Sequence, residues 1–523
     1  MSQIRMRALA GVVGLGLALS ACATTTGTGS AGSTGSSAPG TAGPAGANPN
    51  ATLVVGITTD PNSLNPWKAT QFQAVNVLET MYNSLTQFDK DLKVVPSLAE
   101  SWTTAADGKT VTVKLRQGVT FADGSALDAA DVKFSLDKIK DPATAAVAAA
   151  SLASVTTVTV KDPATVELTL SGPDAALASN LASLNLSILP SEATDATYAT
   201  APNGTGPFQF VSRVPNQSVS VKRNDAYWGD KAKAAKLEFR VIPEESAIVS
   251  AVQSGNVHIA SLKDPLVAKT ASASNVTIVK TPQLNYHVLQ LNATKGALTD
   301  VNVRLAIQCG IDRKQVLDTA ALGEGEVTGP NTSPAYKSDP NARPCPTRDV
   351  AKAKDYLAKS GKTNVVVKTI VSQGEYATSV NEAQNVQAQL KDVGISLELE
   401  VMESGAYVKK WVAADFEAAI ALNGGRPDPD GAYSRYFIST GNLNKVAGYS
   451  SPALDQLFAQ GKATTDYTAR KEIYKKVDAE LENKAVWVWL FTGYGYTATA
   501  KGVSGFEPNP TGSFRSLAAT GVS

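Results

Sequence analysis

Residues 387–401, QAQLKDVGISLELEV, constrain the fold most. A helical pattern is stopped at Gly394 and followed at once by a β-branched run, and helix, glycine, strand in that order is the grammar of α/β chains. The same grammar recurs through the second half. Helices are expected over Val301–Ile311, Asp349–Lys359, Ala383–Val393 and Tyr467–Leu481, with strands at Val365–Val371, Ile395–Val401, Glu417–Leu422 and Val486–Phe491. The first half differs: TLVVGIT (Thr52–Thr58) reads as a buried strand. TVTVKL (Thr110–Leu115), Thr156–Val160 and Thr165–Leu170, separated by turns, read as an antiparallel unit. Val132, Leu136 and Ile139 lie at helical spacing in Asp128–Lys140, so that helix is expected to pack on the unit. With 523 residues, two or three structural units are expected.

A net charge of +1 with 18% charged residues provides no global field for nucleic acid or anionic lipid, so recognition falls to a local site. The N-terminus reads as a secretory leader: Arg5 and Arg7, an apolar run Ala8–Leu19 too short to span a bilayer, then small residues. LSAC (Leu19–Cys22) resembles a bacterial lipobox, which implies cleavage after residue 21 and lipid on the Cys22 sulfur; a non-lipidated leader is the alternative. Residues 22–50 continue as an uncharged Ala/Thr/Gly/Ser tract with no means of building a core. It reads as a flexible tether with a reach of about 30 Å. Cys309 and Cys345 then share an oxidising compartment, which favours a disulfide between them; two buried thiols are the alternative.

Catalytic patterns are incomplete. The chain has two histidines, His258 and His287, and neither has a nucleophile or carboxylate at a diagnostic spacing. SGKT (Ser360–Thr363) lacks the phosphate-loop glycine, because Tyr356 stands there. GEGEVTG (Gly323–Gly329) has Thr328 where a dinucleotide fingerprint needs its third glycine. DPDG from Asp428 has Ser439 in place of the closing acid of a calcium loop. A binding protein without metal or cofactor is the expectation, with a secreted hydrolase as the weaker alternative.

Six stretches in order resemble the family 5 extracellular solute-binding proteins, the oligopeptide, dipeptide and nickel receptors of ABC importers. They are NSLNPW (Asn62–Trp67), MYNSLTQFDKDLKVVPSLAESW (Met81–Trp102), LRQGVTFADGSALDAADVKFSLDKI (Leu115–Ile139), GTGPFQF (Gly204–Phe210) with RNDAYWG (Arg223–Gly229), VNVRLAIQCGIDR (Val301–Arg313), and QLKDVGISLELEV followed by PDPDG. The resemblance implies an α/β clamshell of the class II periplasmic-binding type, closing about a hinge on its ligand. Its first lobe would comprise 51–90, 205–290 and 492–523, with an extra α+β subdomain at 91–204; the second lobe would be 291–491. The implied role is capture of a peptide or peptide-like solute, possibly modified, or a saccharide, for an ABC permease and its ATPase, by a monomer lipid-anchored outside the cytoplasmic membrane. A ligand-sensing receptor with the same clamshell and no transporter is the alternative.

Pocket candidates follow from the resemblance: Thr70, Gln71 and Phe72 after the LNP motif, Ser404 and Tyr407 in SGAY, and Tyr286 and His287 before the expected hinge. Peptide-binding members hold the ligand ammonium with an aspartate four residues before the proline matching Pro429. Here that position is Gly425, or Arg426 with a one-residue slip, and neither neutralises an ammonium. Either Asp428 takes over, or the ligand is neutral or anionic near Arg426. The segment NGGRPDPDG (Asn423–Gly431) is expected as a loop at a strand edge.

Overall fold

The computed structural model describes residues 48–523 apart from 192–193, 273–275, 374–375 and 377. The leader, Cys22 and residues 23–47 of the expected tether lie outside the described residues. Among the described residues, no helix is long and apolar enough to cross a membrane.

Strand β1 (Thr52–Ile57) is buried except at its first residue, and a strand buried on both faces needs neighbours on both edges. The four-stranded antiparallel unit follows, with β2 (Ala99–Thr104), β3 (Thr110–Leu115), β4 (Val155–Asp162) and β5 (Thr165–Leu170) in the order β2-β3-β5-β4. After helix α1 (Phe72–Leu78), helix α2 (Ala129–Lys140) covers this unit, burying Val132, Leu136 and Ile139. Its start is set by a reciprocal cap: Asp128 accepts from Ala130 N and Asp131 N, while the Asp131 carboxylate accepts from Asp128 N at 3.0 Å.

The chain re-enters the first sheet past Gly204 and Gly206. A Cβ on either would meet the Met81 backbone at 2.2 and 2.4 Å, so only glycine permits the crossing. Strands β6 (Phe208–Val214), β7 (Ser218–Arg223) and β8 (Lys236–Val241) form an antiparallel meander, and β8 pairs parallel with β1. On the other edge of β1 lies β9 (Ile259–Leu262). Strands β10 (Thr277–Pro282) and β11 (Tyr286–Leu291) then lead into the second half. There β12 (Gly325–Val327), β13 (Val365–Gln373), β14 (Ile395–Glu403) and β15 (Ala418–Asn423) alternate with helices α3 (Val301–Gly310), α4 (Val350–Lys359), α5 (Ser379–Lys391) and α6 (Ser404–Ala413). Strands β14, β13 and β15 are parallel, as helical crossovers require. Helices α7 (Pro429–Phe437) and α8 (Tyr467–Asn483) precede the last long strand.

That strand, β16 (Trp487–Thr499), is where the expectation of a strand ending at Phe491 needs correction. It runs on for eight more residues, changing partners as it goes: Trp487–Gly493 pairs with β11 and β12, and Tyr494–Thr499 with β9 and β10. Glycines on both sides of Tyr494 leave the changeover thinly covered, and burial lapses over Gly493–Gly495. Residues 283–285 pass beside it. Gln283 N donates to Gly493 O at 2.9 Å, and the Thr492 hydroxyl reaches the carbonyls of Gln283 and Asn285 at 2.6 and 2.7 Å. One core gathers β1, the meander and the four-stranded unit. Two others lie on opposite faces of the second half-sheet, one centred on Leu289, Val367 and Ile420, the other on Val288, Phe437 and Trp487. The first of these contains Cys309 and Cys345, joined in a disulfide with Cα atoms 5.1 Å apart.

Candidate ligand cleft

A cavity of about 480 Å³ opens beside the changeover in β16, with walls from both half-sheets. Phe72, Lys263, Tyr496 and the tail segment Pro508–Phe514 come from the first; Gly425 and Pro427 come from the loop after β15; Gln283 and Asn285 come from the crossing itself. Of the described residues lining it, Lys263 alone carries a charged side chain. This is an unsuitable wall for an ammonium ion, because removing a cation from water without an opposing carboxylate is costly.

Phe72 opens α1, and its ring is pinned from two sides. Lys263 Nζ lies 5.9 Å from the ring centroid, and a Cβ on Gly512 would sit 2.3 Å from the ring, at a positive φ of 71° that itself favours glycine. The tail can therefore lie flat on the ring only with glycine at 512. Thr70 is exposed, accepts from Asn62 Nδ2 at 2.9 Å and borders a neighbouring cavity that Phe72 shares; Gln71 is exposed at the N-cap of α1.

Several expected pocket residues turn away from this wall. His287 stacks on Phe491 with ring centroids 4.1 Å apart, and its Nδ1 lies 2.8 Å from Oε1 of fully buried Glu382 on α5. Tyr286 points to the opposite core, beside Tyr433, with Asn423 donating to its hydroxyl oxygen at 3.4 Å; burial raises its pKa. Tyr407 is buried, its hydroxyl donating to Ile420 O at 2.8 Å, while Ser404 is the half-buried first residue of α6.

The segment Asn423–Gly431 is also corrected, from a loop to a loop that ends in a helix start. Asp428 is the N-cap of α7 with Pro429 in its first turn, and its Oδ1 accepts from Asp430 N at 2.9 Å. The same carboxylate is clasped by both terminal nitrogens of Arg470 on α8, one at 2.9 Å. Arg470 is 3% exposed and also donates to Gly461 O and the Tyr336 hydroxyl. Burial works to lower its pKa, but Asp428 outweighs burial and the net shift is upward. Asp428 thus borders a second cavity of about 180 Å³ as one half of an ion pair, not as a free acid awaiting a ligand. Asp430 is buried next to it, its carboxyl raised to about 6 by desolvation against the pull of Lys462.

Gly425 presses on the 283–285 crossing: a Cβ there would fall 1.9 Å from Leu284 O. No side chain fits where peptide receptors are expected to place their acid. Arg426 is exposed, yet its pKa is lowered, first by desolvation and then by the Arg435 charge. Sequence reading missed Lys263, Gln283, Asn285 and the tail; the cluster PNPTG (Pro508–Gly512) marks a loop, but nothing local says which surface it meets.

The family model described as "Bacterial extracellular solute-binding proteins, family 5 Middle" matches residues 93–444, and the chain belongs to this family, the substrate-binding proteins of ABC importers. The glutathione-binding protein GsiB of Pectobacterium atrosepticum is 28% identical over 496 residues, covering 90% of this chain and 93% of that protein. Among solved structures, HbpA2 of Haemophilus parasuis superposes with a TM-score of 0.83 at 25% identity, over 90% of this chain and 100% of that one. AgaA of A. tumefaciens R10, in complex with agropinic acid, gives 0.69 at 27% identity, over 90% and 99%. The fold is accordingly the two-lobed α/β clamshell of extracellular solute-binding proteins. The named relatives are binding proteins rather than enzymes.

Proposed function

We propose that this protein captures a small solute between its lobes and delivers it to an ABC permease and its ATPase, and that the solute is peptide-like but not held by a free ammonium group. An opine-type conjugate or another modified peptide meets that description; glutathione meets it with the ammonium of its γ-glutamyl end left in solvent beside its own carboxylate, and a saccharide is the non-peptide solute the same uncharged wall would accept. The observation that carries the reading is the cleft wall: contributions from both half-sheets, one lysine and no carboxylate among the described residues lining it, and a glycine too tightly packed to be replaced where an acid is expected. A ligand touching both sides binds the closed state better than the open one, and that difference in affinity drives closure. The relatives named for glutathione and solved with agropinic acid support this ligand class.

The proposed lobes are 51–90, 205–290 and 492–523 in the first, 91–204 as its subdomain, and 291–491 in the second; pairing of Tyr286–Leu291 with β15 and with the first part of β16 favours a border a few residues earlier, at 283–285, with Gly493–Gly495 as the matching bend. Tethering through lipid on Cys22 and residues 22–50 completes the reading, with a monomer as the working unit.

Native mass spectrometry of protein from its own host identifies a co-purified solute, and calorimetry against glutathione, opine-type conjugates, oligosaccharides and unmodified peptides tests the class. Tight binding of unmodified peptides that is lost on acetylation of their amino group would refute the proposal. For the anchor, Cys22→Ser should release the protein from membranes; unchanged retention would count against it.

A further inference from the structure

This inference rests on the solute-binding reading above and concerns one part of the ligand. Arg426 leaves the chain between Gly425 and Pro427, both on the cavity wall, just beyond the carboxyl end of β15, where parallel sheets present ligand sites. Its side chain folds back over the first turn of α7, with Cδ 3.3 Å from where a Cβ on Gly431 would sit. Gly431 and Arg435 are one turn apart on the same helix face, so bare Gly431 leaves room for the Arg426 side chain, which lies close enough to Arg435 for the two charges to repel. Arg435 is half-buried with its guanidinium carbon 4.7 Å from the Tyr436 ring centroid, and its Nε is buried with no acceptor among the described residues. The acids of this segment are engaged elsewhere, Asp428 with Arg470 and Asp430 with Lys462 at 3.8 Å. Two guanidinium groups thus share one neighbourhood with a buried N–H left over, an arrangement that costs free energy until an anion arrives.

We propose that Arg426 and Arg435 form an oxyanion subsite that receives a carboxylate or phosphate group of the solute, Arg435 donating through Nε and Arg426 through its fork. Arginine suits such a group because its planar fork can offer an oxyanion two N–H donors, which a lysine point charge cannot.

The test compares the full-length protein with Arg426→Gln, Arg435→Gln and Arg435→Lys. At constant ionic strength, inorganic sulfate or phosphate in place of chloride should raise the unfolding midpoint of the wild type by more than that of the two glutamine variants, which keep only the general exclusion effect of these salts. Without oxyanion, those variants should be at least as stable as wild type, because a like-charge contact has gone; Arg435→Lys should restore only part of the anion effect. Glutathione should bind Arg435→Gln at least tenfold more weakly than wild type, while its dimethyl ester binds both equally. Phosphorylated against carboxylated solutes of equal size tell which oxyanion is preferred. An anion effect equal in wild type and variants overturns the subsite. Glutathione bound equally by wild type and Arg435→Gln also overturns it while leaving solute binding intact. Absence of binding by every solute tried, with an anion effect larger in the wild type than in the glutamine variants, leaves the subsite standing and defeats the ligand class proposed above.

Discussion

Replacing Asp428 with alanine separates a structural acid from a ligand contact. The substitution leaves Arg470 buried with Gly461 O and the Tyr336 hydroxyl as remaining partners and no carboxylate to balance it. Removing one member of a buried ion pair costs about 3–5 kcal/mol. Loss of the cap on Asp430 N adds about 1 kcal/mol. Asp428→Asn keeps a cap acceptor and should therefore fall short of the alanine variant by about that 1 kcal/mol. In Asp428→Ala combined with Arg470→Met both charges are gone, and the loss should be much smaller than the sum of the single effects. Urea unfolding, compared at a common slope, reads these differences as midpoint shifts. A loss for Asp428→Ala below about 1 kcal/mol would refute the reasoning, since an uncompensated buried guanidinium cannot be that cheap. An Asp428→Asn variant of unchanged stability that no longer bound solute would show instead that the carboxylate faces the ligand.

Three further outcomes follow from packing and charge. Asp430 has its folded pKa raised to about 6 by desolvation, above an unfolded value of about 3.9, so the folded state holds its proton more tightly. Its stabilising effect is therefore complete below about pH 4 and lost as pH rises through 6; Asp430→Asn should flatten that stretch of the unfolding-midpoint profile and gain on the order of 2–3 kcal/mol on the wild type above it. Breaking the Cys309–Cys345 bond, which closes a separation of 36 residues, should cost roughly 2–4 kcal/mol, read as the midpoint difference between wild type and Cys309→Ser/Cys345→Ser. Gly425→Asp should create no ammonium site and should cost about 1–3 kcal/mol, because its Cβ cannot share space with Leu284 O; calorimetry with an unmodified tripeptide and the unfolding midpoint check both halves.

Much of the second half of the chain is legible locally. The expected strand at Ile395–Val401 is Ile395–Glu403, and the expected helix at Asp349–Lys359 is Val350–Lys359. The orientation of Tyr286 and His287 was not legible, for a physical reason: every residue of β11 is buried, so neither face is marked by polarity. Alternation then sends Tyr286 to the core that holds Tyr433 and His287 to Glu382 on the other side, and no periodicity distinguishes those faces from the cleft. The start of α7 was legible but passed over, since Asp428 followed by Pro429 is a helix-start pair.

What the sequence alone determined rests on short-range physics. Period and punctuation set α/β order, and the identities of Gly425 and Arg426 remove the expected acid before any coordinates are known. The tertiary structure decided what lies far apart along the chain. Asp428 meets Arg470 42 positions away, and the tail that pins Phe72 also ties Ser513 to Glu79 across 434. Such pairings depend on how the sheet stacks its strands and on one strand, β16, serving both half-sheets, which local pattern does not encode. Chemistry at the cleft was readable as residues present or missing; which of them line the cavity was settled by packing.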